Sequence, residues 1–412
     1  PPKNGSKCRG GPKCVFACRA NSGIILKNGR KGDAHMRSRR PDAIVRRLEQ
    51  AGFAAYFVGG CVRDTLLCRP VHDWDVTTSA RPEQVLALFA HCVPTGIRHG
   101  TVTVFEDGAQ AEVTTFRADG AYHDGRHPDG VRFVRSLAED LARRDFTINA
   151  MAMDEHGAIT DPFGGRDDLS RRVIRCVGDP ETRFREDALR MLRAYRFAAQ
   201  LGFSLDAQTQ AAICRCAPLC AQLSRERVRE EAEKALLSDR PESFGRMLAE
   251  GLLEACMQAA DADFSGLSAL PQTPEARWTA AKLRCPALDP ASFRLPAKLC
   301  RLVELTAQTW QEGRTEADWK RLIAEHGWET ARLQADLQRS DAVRRIETRG
   351  DCVTLRQLAV TGADFPALRG KDVGRMLHLL LVYVLDHPGQ NTKAQLLAAA
   401  PALWQKENKI QG

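Results

Sequence analysis

Aromatic side chains are scarce in this 412-residue chain, at 6%, while Leu, Ala and Arg dominate its second half. That mixture predicts a largely helical C-terminal region. No apolar run is long enough to span a bilayer. The longest, around Leu377–Leu385, is less than half of what a crossing helix needs, so no membrane partner is expected. No secretory signal peptide is apparent, and the fourteen cysteines are scattered without a disulfide-like spacing. They read as free thiols of a cytoplasmic protein. Cys214, Cys216 and Cys220 lack a second ligand pair at zinc-site spacing and read as packing. Two common phosphate-binding signatures are also missing, the G-x-x-x-x-G-K-[ST] loop and the G-x-G-x-x-G fingerprint. Strong basicity of the folded body is absent too. The net charge is +8, but residues 1–35 hold eight Lys and Arg against Asp33 alone, which leaves a surplus of one for the rest. Any nucleic-acid contact must therefore rest on local arginine clusters.

Residues 1–35 show neither helical nor strand periodicity, and an amphipathic helix over Pro41–Ala51 follows Met36. The expectation is that Met36 is the true start and that 1–35 is an upstream extension or disordered leader. Ala55–Val58 reads as a buried strand ending at Gly59-Gly60, followed by a helix from Val62 to Leu67. Trp74–Thr77 reads as a second strand and Pro82–Phe89 as a helix. Thr101–Glu106 and Gln110–Phe116 alternate apolar and polar residues around Asp107-Gly108, which predicts a hairpin. Residues 117–130 read as a loop and Val131–Val134 as a strand. Helical periodicity dominates beyond Arg135, with breaks at Pro271–Pro274, Cys285–Pro296 and Thr361–Gly370. The pattern is α+β: a small mixed head followed by an elongated all-α region. The expected divisions are a head over 36–175, a helical neck over 176–235, a body over 236–345 and a tail over 346–412.

The sharpest chemical feature is Gly59-Gly60-Cys61-Val62-Arg63-Asp64, followed ten residues after Arg63 by Asp73-Trp74-Asp75. Two aspartates at i and i+2 on a strand share a face. They repel unless a cation lies between them. The Gly-Gly pair lets a triphosphate approach the backbone, and Arg63 can clamp a phosphate. A second constellation lies in Arg185–Ala194. On one continuous helix, Arg183, Asp187 and Arg190 would share a face, with Ala188, Leu192, Tyr195 and Ala199 opposite. An Asp accepts from an exocyclic amino group and an Arg donates to a ring nitrogen. Cytosine and adenine both offer that pair of groups, whereas uracil and guanine do not.

Together these features resemble the nucleotidyltransferase superfamily that includes DNA polymerase beta. They are most similar to the class II tRNA CCA-adding enzymes and the related bacterial poly(A) polymerases. Arg143–Ala150, Asp161–Leu169 and Arg185–Ala194 match that family's further motifs in order and spacing, over about residues 40–235. The resemblance implies a DNA polymerase beta-like head. It implies Mg²⁺ on Asp73 and Asp75, and nucleotide contacts from Gly59, Gly60, Arg63, Arg144, Asp187, Arg190, Arg193 and Arg196. It also implies a third carboxylate. Glu112 is favoured for the metal site, and Asp145 for ordering Arg144 or the active-site loop. Thr115–Arg126 resembles the family's flexible loop, with His127 and Cys68 as departures from its usual residues.

The expected activity is template-independent addition of C, C and A to the 3′ end of tRNA from CTP and ATP. The alternative is a poly(A) polymerase. Gly96–Val102 looks like the CCA-adding form of the segment in which the two differ. A catalytically dead RNA-binding module would lack a metal carboxylate, and both aspartates are present.

Overall fold

The computed structural model describes residues 39–97, 100–119, 131–134 and 136–411. The expected leader, Met36 as start, Arg98-His99, residues 120–126 of the loop and His127 lie outside the described residues.

Helix α1 (Asp42–Gln50) buries Ile44, Val45 and Leu48 on one stripe. Strand β1 (Ala55–Val58) leads into α2 (Gly60–Leu66), then β2 (Asp75–Thr78) and α3 (Pro82–Leu88). Next come β3 (Cys92–Gly96), β4 (Thr101–Glu106) and β5 (Ala109–Thr115). Asp107 and Gly108 both adopt positive φ, 48° and 73°, the conformation that a two-residue hairpin turn requires. Strands β6 (Arg117–Asp119) and β7 (Val131–Phe133) pair with each other, and α4 (Leu137–Ala142) follows. Then come β8 (Ala152–Met153), β9 (Ile159–Thr160), α5 (Gly165–Arg171) and β10 (Val173–Ile174).

Among the described residues the main sheet has seven strands in the order β3-β4-β5-β2-β1-β8-β9. Only β2 and β5 run parallel among its described neighbours; their register sets Asp75 beside Glu112. Strand β3 escaped the sequence reading because Pro94 interrupts it and Val93–Thr95 are exposed. An edge strand tolerates both, since one side of it needs no ladder bonds.

Helices α6 (Pro180–Glu186) and α7 (Leu189–Leu201) come next, then β11 (Ser204–Leu205), which pairs with β10. The rest is helical: α8 (Ala207–Cys216), α9 (Arg225–Leu236), α10 (Glu242–Ala249), α11 (Pro274–Arg284) and α12 (Ala297–Gln308), then α13 (Glu316–Gln338), α14 (Ala342–Arg349), α15 (Lys371–Asp386) and α16 (Lys393–Gln411). The breaks expected at Cys285–Pro296 and Thr361–Gly370 fall between α-helices, and the one at Pro271–Pro274 runs into the first residue of α11. Gly327 kinks α13, with φ 84° and ψ 168°.

One hydrophobic core runs from Ile44 to Val303, so the segments expected as head and neck and the first part of the body share it. A second core, from Trp319 to Ala400, is built by α13, α14, α15 and α16 with the loops between them. No helix among the described residues is long and apolar enough to cross a membrane.

Within the first core, Arg277 on α11 is wholly buried. Its guanidinium donates to the carbonyl oxygens of Leu236 (3.3 Å), Ser268 (3.4 Å), Leu270 (3.1 Å) and Pro271 (3.1 Å). It staples the 268–271 turn to the end of α9. Arg277→Met should leave those acceptors unsatisfied and lower unfolding stability by about 3 kcal/mol, read from the denaturant midpoint.

Candidate active site

The site is assembled where β1 ends, β2 begins and α7 passes alongside. Gly59 turns the chain from β1 into α2 at φ +75°, which glycine adopts at little cost. A Cβ there would lie 3.1 Å from Nη1 of Arg144 and 3.5 Å from Oδ2 of Asp75. The bare backbone is therefore what lets both groups close on this turn. Arg63 on α2 is buried, donating to both oxygens of Asp64 (3.0 and 2.9 Å) and to Oδ1 of Asn149 (2.7 Å).

The two aspartates of the first motif do not share one strand. Asp75 opens β2, whereas Asp73 precedes it and is exposed. Trp74, between them, turns inward into the core, and its carbonyl accepts from the Glu112 N–H of β5 at 3.0 Å. The two carboxylates still sense one another. Burial pushes the Asp75 carboxyl up to about 6, with Arg144 opposing and Glu112 and Asp73 adding to the rise. Glu112 thus comes to Asp75's side across the parallel pairing. Among the described residues no three His, Cys, Asp or Glu form a ready-made metal cage.

Arg144 is ordered by Asp140, not by Asp145 as one of the expectations had it. Asp140 is wholly buried on α4 and accepts from Nη2 of Arg144 and Nε of Arg143, both at 3.2 Å. It also accepts from Oγ1 of Thr77 on β2 and the backbone N–H of Arg117 at the start of β6, again at 3.2 Å. Burial opposes its ionisation, but Arg144 and Arg143 outweigh this and hold its pKa below the carboxylate range. Asp145 lies past the end of α4, where the chain has left the helix, and so faces another way. Its Oδ2 accepts from Nε of Arg193 at 2.8 Å, and its Oδ1 from Asn149 (3.2 Å) and the Phe146 N–H (2.8 Å). Asn149 thereby links Asp145 to Arg63.

Asp187 and Arg190 do not lie on one continuous helix. The chain breaks between α6 and α7, with Asp187 extended at φ −148° and ψ 105°. Its Oδ1 accepts from the Leu189 N–H (3.0 Å), the local competition by which an aspartate unseats helical backbone. Its Oδ2 accepts from Nη2 of Arg227 on α9 (2.8 Å). Arg190 is nearly buried and held by Glu186 (2.7 Å) and the carbonyls of Arg183 (3.3 Å) and Arg143 (3.1 Å). Arg196 meets Glu231, one turn beyond Arg227 on α9, at 2.7 Å. The expected apolar stripe of Ala188, Leu192, Tyr195 and Ala199 is buried throughout.

These groups line one cavity of about 470 Å³, with seven arginines and three aspartates on its wall among the described residues. Arg63, Arg144, Asp187, Arg190, Arg193, Arg196, Gly59, Gly60, Asp75 and Asp145 all reach it. Asp73 and Glu112 do not line it and stand to the side of Asp75. The sequence reading missed Arg143, Asn149, Phe197 and Arg227 on its wall, and Asp140 and Glu231 behind it. Arg227 and Glu231 left one signal: charges four apart among the buried Val228, Ala232 and Ala235 of α9. Such charges on an inward face need partners.

Asp145 ties pH to stability. Against the cost of burial, Arg193, Asn149 and the Phe146 N–H bring its carboxyl down to about 2. A depressed carboxylate stabilises the fold above its unfolded pKa, and that contribution is lost as pH falls toward 2. Stability should drop by about 2 kcal/mol between pH 4 and 2 on its account, and Asp145→Asn should flatten that part of the urea-midpoint profile.

Residues 55–175 match the poly(A) polymerase head domain family, and residues 202–263 match the probable RNA- and SrmB-binding site of polymerase A. A CCA-adding enzyme of Lactobacillus delbrueckii subsp. bulgaricus is 56% identical over 214 residues, which is 52% of this chain and 54% of that protein. One from Geobacillus thermodenitrificans is 58% identical over 193 residues, 47% of this chain and 48% of that protein. The chain spans about half the length of the curated relatives it matches. The crystal structure of the Bacillus stearothermophilus CCA-adding enzyme in complex with CTP superposes with a TM-score of 0.70 at 34% identity, covering 90% of this chain and 99% of that one. The Thermotoga maritima CCA-adding enzyme complexed with tRNA shares the fold, with a TM-score of 0.61 at 19% identity, over 88% of this chain and 94% of that one.

Proposed function

The chain belongs to the family of CCA-adding enzymes built on the poly(A) polymerase head, and from that premise we propose that it adds C, C and A to the 3′ end of tRNA from CTP and ATP without a nucleic-acid template. The observation that carries this reading is one cavity wall shared by the carboxylate Asp75, a cluster of arginines and the Asp187–Arg190 pair. The first serves the reacting end, the second a triphosphate and the third a base edge.

The base is selected by Asp187 and Arg190. An ionised carboxylate has about four acceptor sites, and two donors already occupy Asp187, which leaves room for an exocyclic amino group. Arg190 is pinned by Glu186 and two carbonyls, so it meets a ring nitrogen without first being ordered. Uracil and guanine would leave both groups mismatched at about 1–3 kcal/mol each. Arg63, Arg144, Arg193 and Arg196 hold the phosphates.

The donor set suits Mg²⁺. Burial chiefly raises the Asp75 carboxyl to about 6, and Glu112 and Asp73 add to the rise; a divalent cation would offset both. Asp73 and Asp75 would hold the ion, with Glu112 as the adjoining carboxylate. When bound, Mg²⁺ lowers the pKa of the tRNA 3′-hydroxyl and steadies the departing pyrophosphate. Asp145 is a positioning residue that fixes Arg193. The helical body and tail grip tRNA by shape and phosphate contacts, and the free thiols recorded in the described part of the chain suit a cytoplasmic setting.

The test is tRNA lacking its CCA end, incubated with each nucleotide. CTP alone should add two residues, and CTP with ATP three. Long A tracts without C incorporation would mean a poly(A) polymerase instead. Asp187→Ala should cut kcat/KM for both CTP and ATP by about 10- to 100-fold and shrink their advantage over UTP and GTP. Because Asp75 must be ionised, activity should fall as pH drops through about 6. Raising Mg²⁺ should move that limb to lower pH, since the cation favours the ionised carboxylate.

A further inference from the structure

Phe197 on α7 is nearly buried, and its ring lies within cation–π distance of three guanidinium groups: Arg196 at 4.1 Å, Arg63 at 5.1 Å and Arg193 at 5.3 Å. Phe146 braces the ring edge-on at 5.8 Å. Each arginine also has polar partners: Asp64 and Asn149 for Arg63, Asp145 for Arg193, and Glu231 for Arg196, with Glu231 reaching Arg193 as well at 4.0 Å. All three line the same cavity as Phe197. Like charges this close resist assembly. Burial, against the pull of Glu231, and the charges of Arg193 and Arg63 bring Arg196 down to about 10.

The centre of such a cluster can be filled in three ways. A carboxylate would neutralise the cations and compete with any incoming phosphate. An aliphatic side chain would fill the space without attracting them. An aromatic face draws them in by its quadrupole while adding no net charge, so their attraction for an anion is kept.

We propose that Phe197 is a positioning residue that gathers Arg63, Arg193 and Arg196 into a triphosphate-binding cluster, a role that rests on the nucleotide-adding reading above. It touches the arginines and does not read the base. Its loss should therefore weaken every nucleotide alike.

The test compares Phe197→Leu and Phe197→Tyr with the wild type on tRNA lacking its CCA end. It measures KM and kcat for CTP and ATP, incorporation of UTP, and inhibition by inorganic pyrophosphate. Phe197→Leu should raise KM for both CTP and ATP by about tenfold and weaken pyrophosphate inhibition by a similar factor, with the preference for CTP over UTP unchanged. Phe197→Tyr, which keeps the aromatic face, should stay within about twofold of wild type. If Phe197→Leu does not fold, as judged by circular dichroism and thermal melting, Phe197→Met of similar volume takes its place. Unchanged pyrophosphate inhibition in a folded Leu or Met variant overturns the role, as does a folded Tyr variant impaired as much as Leu. A wild type that incorporates no CTP and ignores pyrophosphate overturns the nucleotide reading, and this inference with it.

Discussion

Seven guanidinium groups facing one cavity repel one another, and the surrounding structure has to hold them in place. Carboxylates on the wall and behind it do much of this. Asp140 holds Arg143 and Arg144, Asp145 holds Arg193, Glu186 holds Arg190 and Glu231 meets Arg196. Each anchor engages its arginine from one side. The guanidinium is planar and carries five donors, so it can be held by a carboxylate and still address a ligand. Burial makes the arrangement stiff, because a charge stripped of its partner there would cost several kcal/mol.

The same pairs join separate parts of the chain. Asp145 and Asn149 follow α4 in the head, yet their partners are Arg193 on α7 and Arg63 on α2. Asp140 bridges strand β2, through Thr77, and the start of β6, through Arg117. Arg227 and Glu231 extend the network to α9. The Asp187–Arg190 pair and the arginines on the cavity wall thus share one framework with Asp75. The unbroken core from Ile44 to Val303 is the packing counterpart of that coupling.

Much of the head was legible because its signals are local. The alternation on either side of Asp107-Gly108 specified a hairpin, and the turn residues take the positive φ it needs. Gly59 announced a turn with the backbone bared, and it lies against Arg144 and Asp75. Where the reading failed, a side chain overrode a periodic pattern. Asp187 has the right spacing for a helix running from Arg183 to Arg190, but its carboxylate bonds the Leu189 N–H and the helix divides.

Which residues gather at the cavity was in large part legible in the sequence, since motif spacing singles them out at short range. Asp75, Arg63, Asp187 and Arg190 needed no fold to be singled out. Which carboxylate serves which arginine was decided only by tertiary structure. Asp145 adjoins Arg144 in the chain but pairs with Arg193, while Arg144 turns to Asp140. Ion pairs form between side chains that packing brings within about 3 Å, and adjacency along a chain leaving a helix does not set that distance. For the same reason Phe197, one apolar position on α7 by sequence, became in three dimensions the point where three arginines meet.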